Sequence, residues 1–125
     1  MSTERANLYL PSSGVVELTI KDFHENMVIN SDFRGKDALI FFYAPWCIHC
    51  QKMSEYLSQI AIQFQYVFPI GVVNCENPRN YKICRRFDIQ MFPTPFYLNK
   101  KGIMTEYQDP IDKDSLMNFI YQKTL

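Results

Sequence analysis

The sequence predicts an α/β domain in which a mixed central β-sheet is flanked by helices on both faces. Its first half alternates strand-like apolar segments with helical segments, a pattern typical of parallel strands joined by right-handed crossovers. Its second half contains two strand-like segments joined by a short turn with a glycine, followed by a helix. We therefore expect a parallel β-α-β half and an antiparallel C-terminal hairpin within one sheet.

Length and composition fit one domain of this kind. The chain has 125 residues, of which 47% are hydrophobic and 21% are charged, and its formal net charge is zero. The charge balance argues against a nucleic-acid partner, because phosphate binding needs a basic face. No apolar run approaches the roughly 20 residues that cross a bilayer, so we expect no membrane partner. We expect an N-terminal extension over residues 1–13 and the folded domain over residues 14–125.

The first elements lead up to the central strand. The apolar segment 14–18 predicts a first strand, and Thr19 is placed to cap a short helix through Phe23 to Met27. The polar segment 32–37 predicts a loop. Residues 38–44 are apolar without alternation, which indicates a central strand that is buried on both faces.

A long amphipathic helix follows the central strand. Apolar residues recur there at helical spacing: Met53, Tyr56, Leu57, Ile60, Ala61 and Phe64. Residues 68–75 return to a buried-strand pattern, and Asn77-Pro78 opens a short helix toward Phe87. Residues 94–98 and 103–107 predict the hairpin. Asp112 is then placed to cap a last helix with a buried stripe of Leu116, Phe119 and Ile120.

Cys47 and Cys50 stand where the central strand meets the long helix, and this position favours chemistry. A thiolate is the nucleophile in disulfide exchange, and a helix N-terminus offers unpaired backbone N–H groups and the positive end of the helix dipole. We expect Cys47, nearer that end, to attack a substrate disulfide, and Cys50 to resolve the mixed disulfide. A protonated His49 would stabilise the reduced pair and make its disulfide a better oxidant.

A structural zinc site is a weaker interpretation of the four cysteines. Structural zinc usually takes a second close pair, and Cys75 and Cys84 are too far apart in sequence to be one. Four cysteines can pair in three ways, and their spacing does not choose between them. We expect neither a metal nor another cofactor, because the sulfurs of Cys47 and Cys50 would carry the electrons.

Two motifs carry a resemblance to a known family. Residues 42–52, Phe-Tyr-Ala-Pro-Trp-Cys-Ile-His-Cys-Gln-Lys, resemble the active-site segment of the thioredoxin superfamily, and of protein disulfide isomerase catalytic domains in particular. Phe92-Pro93-Thr94 is similar to the superfamily's second motif, which holds a cis-proline. The likeness runs from about residue 14 to residue 123. It implies the thioredoxin fold and a thiol–disulfide oxidoreductase that acts on protein thiols or disulfides.

The resemblance also implies how a substrate binds. Pro93 should face Cys47, and the backbone of Phe92 should pair with a substrate bound as an extended strand. Trp46 should shield the sulfur and form one wall of the groove. The partners implied are protein substrates and an upstream thiol oxidase or reductase.

Cys75 and Cys84 are a second pair to which the resemblance gives a role. Several isomerase-like domains carry cysteines at similar places, where they form a structural disulfide. The alternative is two half-buried thiols that act as small apolar residues.

Three proton-handling features of the family are replaced here. The buried acid six residues before the first active cysteine is Phe41, its usual lysine partner aligns with Gly71, and the arginine after the last strand aligns with Ile111. Burial of a thiolate without such help raises its pKa, so we expect Cys50 to resolve mixed disulfides slowly.

Two other functions stay open beside the enzyme. One is a binding module on a thioredoxin scaffold that turns over poorly, and the other is an electron-relay domain of a larger sulfhydryl oxidase or multi-domain isomerase. The extra cysteine pair suggests the endoplasmic reticulum lumen or another part of the secretory pathway. The lack of a signal peptide and a retention tail suggests the cytoplasm, including that of a cell in which a virus assembles its particles.

Overall fold

A computed structural model describes residues 6–125 of the chain, and its main sheet has five strands. In spatial order these are β1 (Val16–Leu18), β5 (Ile70–Asn74), β4 (Ala38–Tyr43), β6 (Thr94–Leu98) and β7 (Met104–Glu106). Strands β1, β5 and β4 run parallel, whereas β6 and β7 pair antiparallel. The mixed sheet that the sequence predicts is confirmed.

Three α-helices cover the two faces of this sheet: α1 (Ile48–Phe64), α2 (Tyr81–Arg86) and α3 (Lys113–Thr124). Helices α1 and α3 pack on one face, where Leu57 and Leu116 lie in a first core. Helix α2 packs on the other face, where Ile83 lies in a second core. Asp112 caps α3 as expected, because its carboxylate accepts a hydrogen bond from the Ser115 amide at 2.8 Å.

Strand β4 supplies side chains to both cores. Leu39, Phe41 and Tyr43 point into the first core. Ala38, Ile40 and Phe42 point into the second. All six side chains are fully buried. The missing alternation in the sequence therefore has a direct cause, because neither face of this strand meets water.

The predicted helix from Thr19 to Met27 is wrong. Thr19 does cap a turn, but this is a single 3₁₀ turn over Ile20–Asp22. The chain then forms a separate hairpin of β2 (Phe23–His24) and β3 (Met27–Val28). Glu25, between them, has a positive φ of 54°, which a helix does not allow. Burial of Phe23 in the second core outweighs the capping signal.

Other boundaries differ by one or two residues. The predicted loop 32–37 overlaps a 3₁₀ turn, Ser31–Phe33, whose last side chain is buried. The first strand starts at Val16 because Gly14 turns the chain with a φ of 84° and lies against α1. A Cβ at Gly14 would stand 2.9 Å from a side-chain carbon of Ile62, so the close approach requires glycine.

The segment before β1 packs on the first core. Tyr9 is buried there, the Leu8 amide donates to the Tyr43 hydroxyl at 3.2 Å, and the Asn74 side chain donates to that of Asn7 at 2.9 Å. Residues 1–5 of the expected N-terminal extension lie outside the described residues. The boundary at residue 14 stays a prediction.

Cys75 and Cys84 are joined by a disulfide, with an S–S distance of 2.16 Å and a Cα–Cα distance of 6.0 Å. Cys75 directly follows β5 and Cys84 lies in α2, so the bond ties that helix to the sheet. Both sulfurs lie in the second core.

Removal of this disulfide should destabilise the fold. Cys75→Ser/Cys84→Ser is expected to lower the free energy of unfolding by about 2–3 kcal/mol, because the bond closes a short loop in the unfolded chain. Denaturant unfolding without reductant measures the change. Cys47→Ser/Cys50→Ser is the matched control, since it replaces two other cysteines and leaves the Cys75–Cys84 disulfide in place. Equal stability of the Cys75/Cys84 variant and the wild type would contradict the expectation.

A half-buried carboxylate in β1 contacts the first core. The Tyr43 hydroxyl donates a hydrogen bond to Glu17, and accepts one from the Leu8 amide. Burial raises the pKa of Glu17 from 4.5 to about 7, although the hydrogen bond from Tyr43 acts in the opposite direction. Burial also raises the pKa of Tyr43.

Glu17 should make stability depend on pH. Because its pKa is higher in the folded state, the folded chain binds the proton more tightly, and stability falls as pH rises from about 4.5 to about 7. Over this pH range the free energy of unfolding of Glu17→Gln is expected to fall by about 1–3 kcal/mol less than that of the wild type, so its dependence on pH is weaker. Unfolding midpoints between pH 4 and pH 8 measure it. Glu106→Gln, at an exposed position in β7, is the control. A profile that keeps its slope in Glu17→Gln would contradict the assignment.

Candidate active site

Cys47 and Cys50 are brought together by the turn that leads from β4 into α1. The Cys47 amide donates to the Ala44 carbonyl at 3.1 Å, and the Gln51 amide donates to the Cys47 carbonyl at 3.0 Å. Cys47 is the N-cap of α1, and Cys50 lies in its first turn. Both are free thiols, 7% and 0% exposed respectively. The pair therefore stands at the helix N-terminus, with Cys47 on the solvent side.

A cis peptide bond lies against Cys47. The Phe92-Pro93 bond is cis, as the resemblance implies, and it precedes β6. Strand β6 pairs with β4 so that Thr94 lies opposite Phe42, which sets the cis bond beside the turn that carries the cysteines. The Cys47 thiol donates to the Phe92 carbonyl, with an Sγ–O distance of 3.5 Å.

Trp46 lies beside this contact and is 53% exposed. Its indole N–H donates to a carboxylate oxygen of Glu76 at 2.9 Å. Its ring meets that of Phe92 edge to face, at 5.9 Å between centroids. Two attachments thus hold an aromatic surface open to solvent next to the thiol.

A groove of about 360 Å³ runs along the other side of the cis bond. His49 is exposed at its mouth, on the outer face of α1. Phe92 and Pro93 form one wall. The rest of the lining is contributed by α1 and the chain before α3: Lys52, Met53, Tyr56, Ile111 and Asp112.

Cys75 and Cys84 do not join this cluster of thiols. They line a separate cavity of about 310 Å³, which meets the first groove only at Phe92. Within residues 6–125 there is no group of three or more His, Cys, Asp or Glu side chains that could hold a metal. The same part of the chain contains no helix long and apolar enough to span a membrane.

Cys50 is held in an environment that disfavours its thiolate. Burial raises its pKa to about 12. A backbone hydrogen bond at Ala44 acts in the opposite direction, whereas the neighbouring Cys47 raises the pKa further. The Cys50 thiol is therefore protonated at neutral pH.

Two positions to which the resemblance assigns proton-handling groups lie in the structure among apolar residues. Phe41 is fully buried in the core that contains Cys50. Its neighbour across the sheet is Val72, which lies in the same core, so the expected lysine position is Val72 rather than Gly71. A side chain at Gly71 would point toward Leu18, in the opposite core.

Two ionisable side chains of this part of the structure, Glu17 and Tyr9, are not among the site residues that the sequence predicts. Glu17 lies in the first strand, where a single carboxylate between apolar neighbours was the available hint. Tyr9 precedes the first strand and is buried in the same core as Cys50. Nothing local marks Tyr9, because only the fold brings residue 9 to residue 50.

The family model described as Thioredoxin matches residues 14–122. The chain belongs to the thioredoxin family. The family resemblance and the thioredoxin fold are thereby confirmed. Over 105 residues the chain is 30% identical to "Protein disulfide isomerase-like 1-1" of Arabidopsis thaliana, an alignment that covers 84% of this chain and 20% of that protein.

Other relatives agree with this family. Over 106 residues the chain is 34% identical to "Protein disulfide-isomerase MPD1" of Saccharomyces cerevisiae, covering 85% of this chain and 31% of that protein. Among solved structures, the J-Trx1 fragment of ERdj5 superposes with a TM-score of 0.69 at 23% identity, over 87% of this chain and 51% of that one. The chain spans about a fifth to a third of the length of these curated relatives. Its family is one of thiol–disulfide oxidoreductases, and the chain is similar to a part of the protein disulfide isomerases.

The two active-site thiols should differ widely in reactivity. With reduced Cys47 and Cys50 and an intact Cys75–Cys84 disulfide, iodoacetamide at pH 7.5 is expected to modify Cys47 at least about 100-fold faster than Cys50, because Cys50 is fully buried and its pKa is raised. Intact mass and peptide mapping measure the adducts.

The urea-unfolded protein is the control for this comparison, because both thiols should then react at similar rates. Two adducts that appear together in the folded protein would contradict the structure of the pair.

Proposed function

We propose that this domain catalyses thiol–disulfide exchange on protein substrates, with Cys47 as the nucleophile and Cys50 as the resolving thiol. The observation that carries the proposal is the placement of Cys47. Its sulfur lies at the N-terminus of α1 and 3.5 Å from the carbonyl of the cis Phe92-Pro93 unit. A reactive thiol and an open backbone segment for binding a chain thus lie side by side.

The first step is attack on a substrate disulfide. The Cys47 thiolate forms a bond to one substrate sulfur, the substrate S–S bond breaks, and the other sulfur leaves as a thiolate. The product is a mixed disulfide between Cys47 and the substrate. The unpaired N–H groups at the start of α1 favour the thiolate that attacks.

The second step releases the substrate. Cys50 loses its proton and attacks the Cys47 sulfur, so that the Cys47–Cys50 disulfide forms and the substrate thiolate leaves and takes up a proton. The substrate is reduced and the pair is oxidised, and the reverse sequence oxidises a substrate. With Phe41 and Ile111 at positions that could otherwise carry ionisable groups, we expect this step to be slow.

The groove supports binding of an extended substrate chain. The backbone next to Pro93 is proposed to pair with the substrate strand, with aromatic contacts from Phe92, which lines the groove, and from Trp46, which packs against Phe92. Exposed His49 stands where a positive charge would stabilise the reduced pair. We propose these four residues as the binding and tuning set. An upstream thiol oxidase or reductase would return the cysteine pair to its working state.

A second candidate is a binding domain that turns over poorly. The apolar residues around Cys50 favour it, since they leave the resolving thiol with little help. The relatives are several times longer than this chain, so an electron-relay domain of a larger oxidoreductase is a further form of the same proposal.

The reduction potential of the Cys47–Cys50 pair tests the proposal. In glutathione redox buffers we expect a reversible two-electron couple near that of protein disulfide isomerase, about −180 mV. Fluorescence of Trp46, the single tryptophan, reports the state of the pair, and alkylation with mass analysis checks it. Cys47→Ser should lose the couple and keep the fold. Cys75→Ser/Cys84→Ser should keep the couple.

The other outcomes are equally informative. A potential near −270 mV would indicate a thioredoxin-like reductant and would overturn the role given to His49. Absence of a reversible redox couple would overturn the proposal that the domain is an oxidoreductase. Substrate binding that survives Cys47→Ser and is lost in Phe92→Ala would then identify the binding domain.

A further inference from the structure

The Tyr9 hydroxyl is buried without a partner. It is the one buried side-chain oxygen or nitrogen that lacks a hydrogen bond among the residues the structure describes, 6–125. The Tyr9 side chain is only 5% exposed, and its ring is held edge to face against Tyr43, at 5.6 Å between centroids. A buried hydroxyl in this state is costly to folding, and such groups often serve a function.

Tyr9 and the resolving cysteine lie in the same core, although the Tyr9 hydroxyl makes no hydrogen bond to Cys50 in this structure. Tyr9 and Cys50 lie in one core cluster with Phe41, the apolar residue at the expected acid position. Burial raises the pKa of Tyr9, and negative charge on Cys50, Glu17 or Tyr56 would raise it further. The phenol therefore keeps its proton and can donate a hydrogen bond.

Cys50 in turn has few groups to stabilise its thiolate. Its side chain is fully buried, and the groups that act on it are the Ala44 backbone and the Cys47 thiol. The exposed groups of α1 that line the groove, His49 and Lys52, lie on the outer face of the helix, opposite to this core. On the core side, Tyr9 carries a hydroxyl donor that has no partner of its own.

We propose that the Tyr9 hydroxyl donates a hydrogen bond to the Cys50 thiolate while Cys50 resolves the mixed disulfide. The inference rests on the proposed function, because it assigns Cys50 the resolving role. The chemistry is unchanged: the Cys50 proton passes to solvent water, the Cys47–Cys50 bond forms, the bond from Cys47 to the substrate breaks, and the substrate sulfur takes up a proton from solvent. Tyr9 keeps its own proton throughout and stabilises the charge that builds on Cys50.

This arrangement differs from one in which a buried carboxylate accepts the proton. A tyrosine from the segment before the first strand lowers the cost of the thiolate without adding a negative charge beside it. Glu17 supports the arrangement at a distance, since its carboxylate disfavours a tyrosinate at position 9. The Tyr9 hydroxyl, which has no partner in the resting state, then donates its hydrogen bond when Cys50 ionises.

The two steps can be followed separately with 5,5′-dithiobis(2-nitrobenzoate). Attack by Cys47 releases one nitrothiobenzoate, and resolution by Cys50 releases the second, so absorbance shows two phases. In Tyr9→Phe we expect the first phase to be unchanged and the second to be about tenfold slower at pH 7.5. The pH profile of the second phase should shift upward by about one unit.

A matched control and a fold check accompany this variant. Tyr107→Phe also removes a buried hydroxyl from the same core, but that hydroxyl donates to the Pro110 carbonyl at 2.9 Å, and Cys50 is not among the groups that act on it. It should leave both phases as in the wild type. Tyr9→Phe should unfold at the same or a higher temperature, because it removes an unpaired buried hydroxyl. 3-Fluorotyrosine at position 9, a stronger donor, should accelerate the second phase.

The outcomes separate the two proposals. A second phase in Tyr9→Phe with the wild-type rate and pH profile overturns the role of Tyr9 and leaves the oxidoreductase intact. Equal slowing by Tyr107→Phe overturns it as well, because a general loosening of the core would then be the cause. Absence of the second phase in the wild-type protein overturns the resolving role of Cys50, and with it the proposed function.

Discussion

The complete burial of β4 is the constraint on which the other features depend. Its six side chains alternate between two cores, so both faces of the sheet have to be covered and both neighbours of the strand have to be paired. The strand ends at Tyr43, and only four residues separate it from α1. The buried strand thereby fixes where α1 begins, and the start of α1 fixes both thiols. Pairing with β6 sets the position of the cis bond in the same way.

Features encoded by neighbouring residues could be predicted from the sequence, and features created by tertiary packing could not. The unbroken apolar run 38–44 predicts the central strand, and the spacing of Cys47 and Cys50 at its end predicts the candidate site. The segment from Thr19 to Met27 carries a correct capping signal, yet burial of Phe23 draws it into a hairpin. The contribution of Tyr9 to the core depends on how a terminal segment folds back, and no local pattern encodes that.

The site combines retained and replaced parts. The cysteine pair lies beside the cis Phe92-Pro93 bond, as the family resemblance implies, whereas Phe41 and Val72 make the space behind Cys50 apolar. Apolar side chains stabilise the core but leave a buried sulfur with little to balance its charge. The apolar side chains beneath Cys50 therefore stabilise the fold but disfavour the Cys50 thiolate that the second chemical step needs.

The Cys75–Cys84 disulfide has a consequence for how each copy of the domain matures after synthesis. It fixes the end of β5 directly before Glu76, whose carboxylate holds Trp46 beside the reactive thiol. The aromatic surface beside Cys47 is thus anchored next to a covalent bond that synthesis on the ribosome does not provide. A newly made copy acquires this bond by giving up two electrons to an oxidant, so the anchor next to Glu76 is added after synthesis. The domain is therefore itself a substrate for disulfide formation.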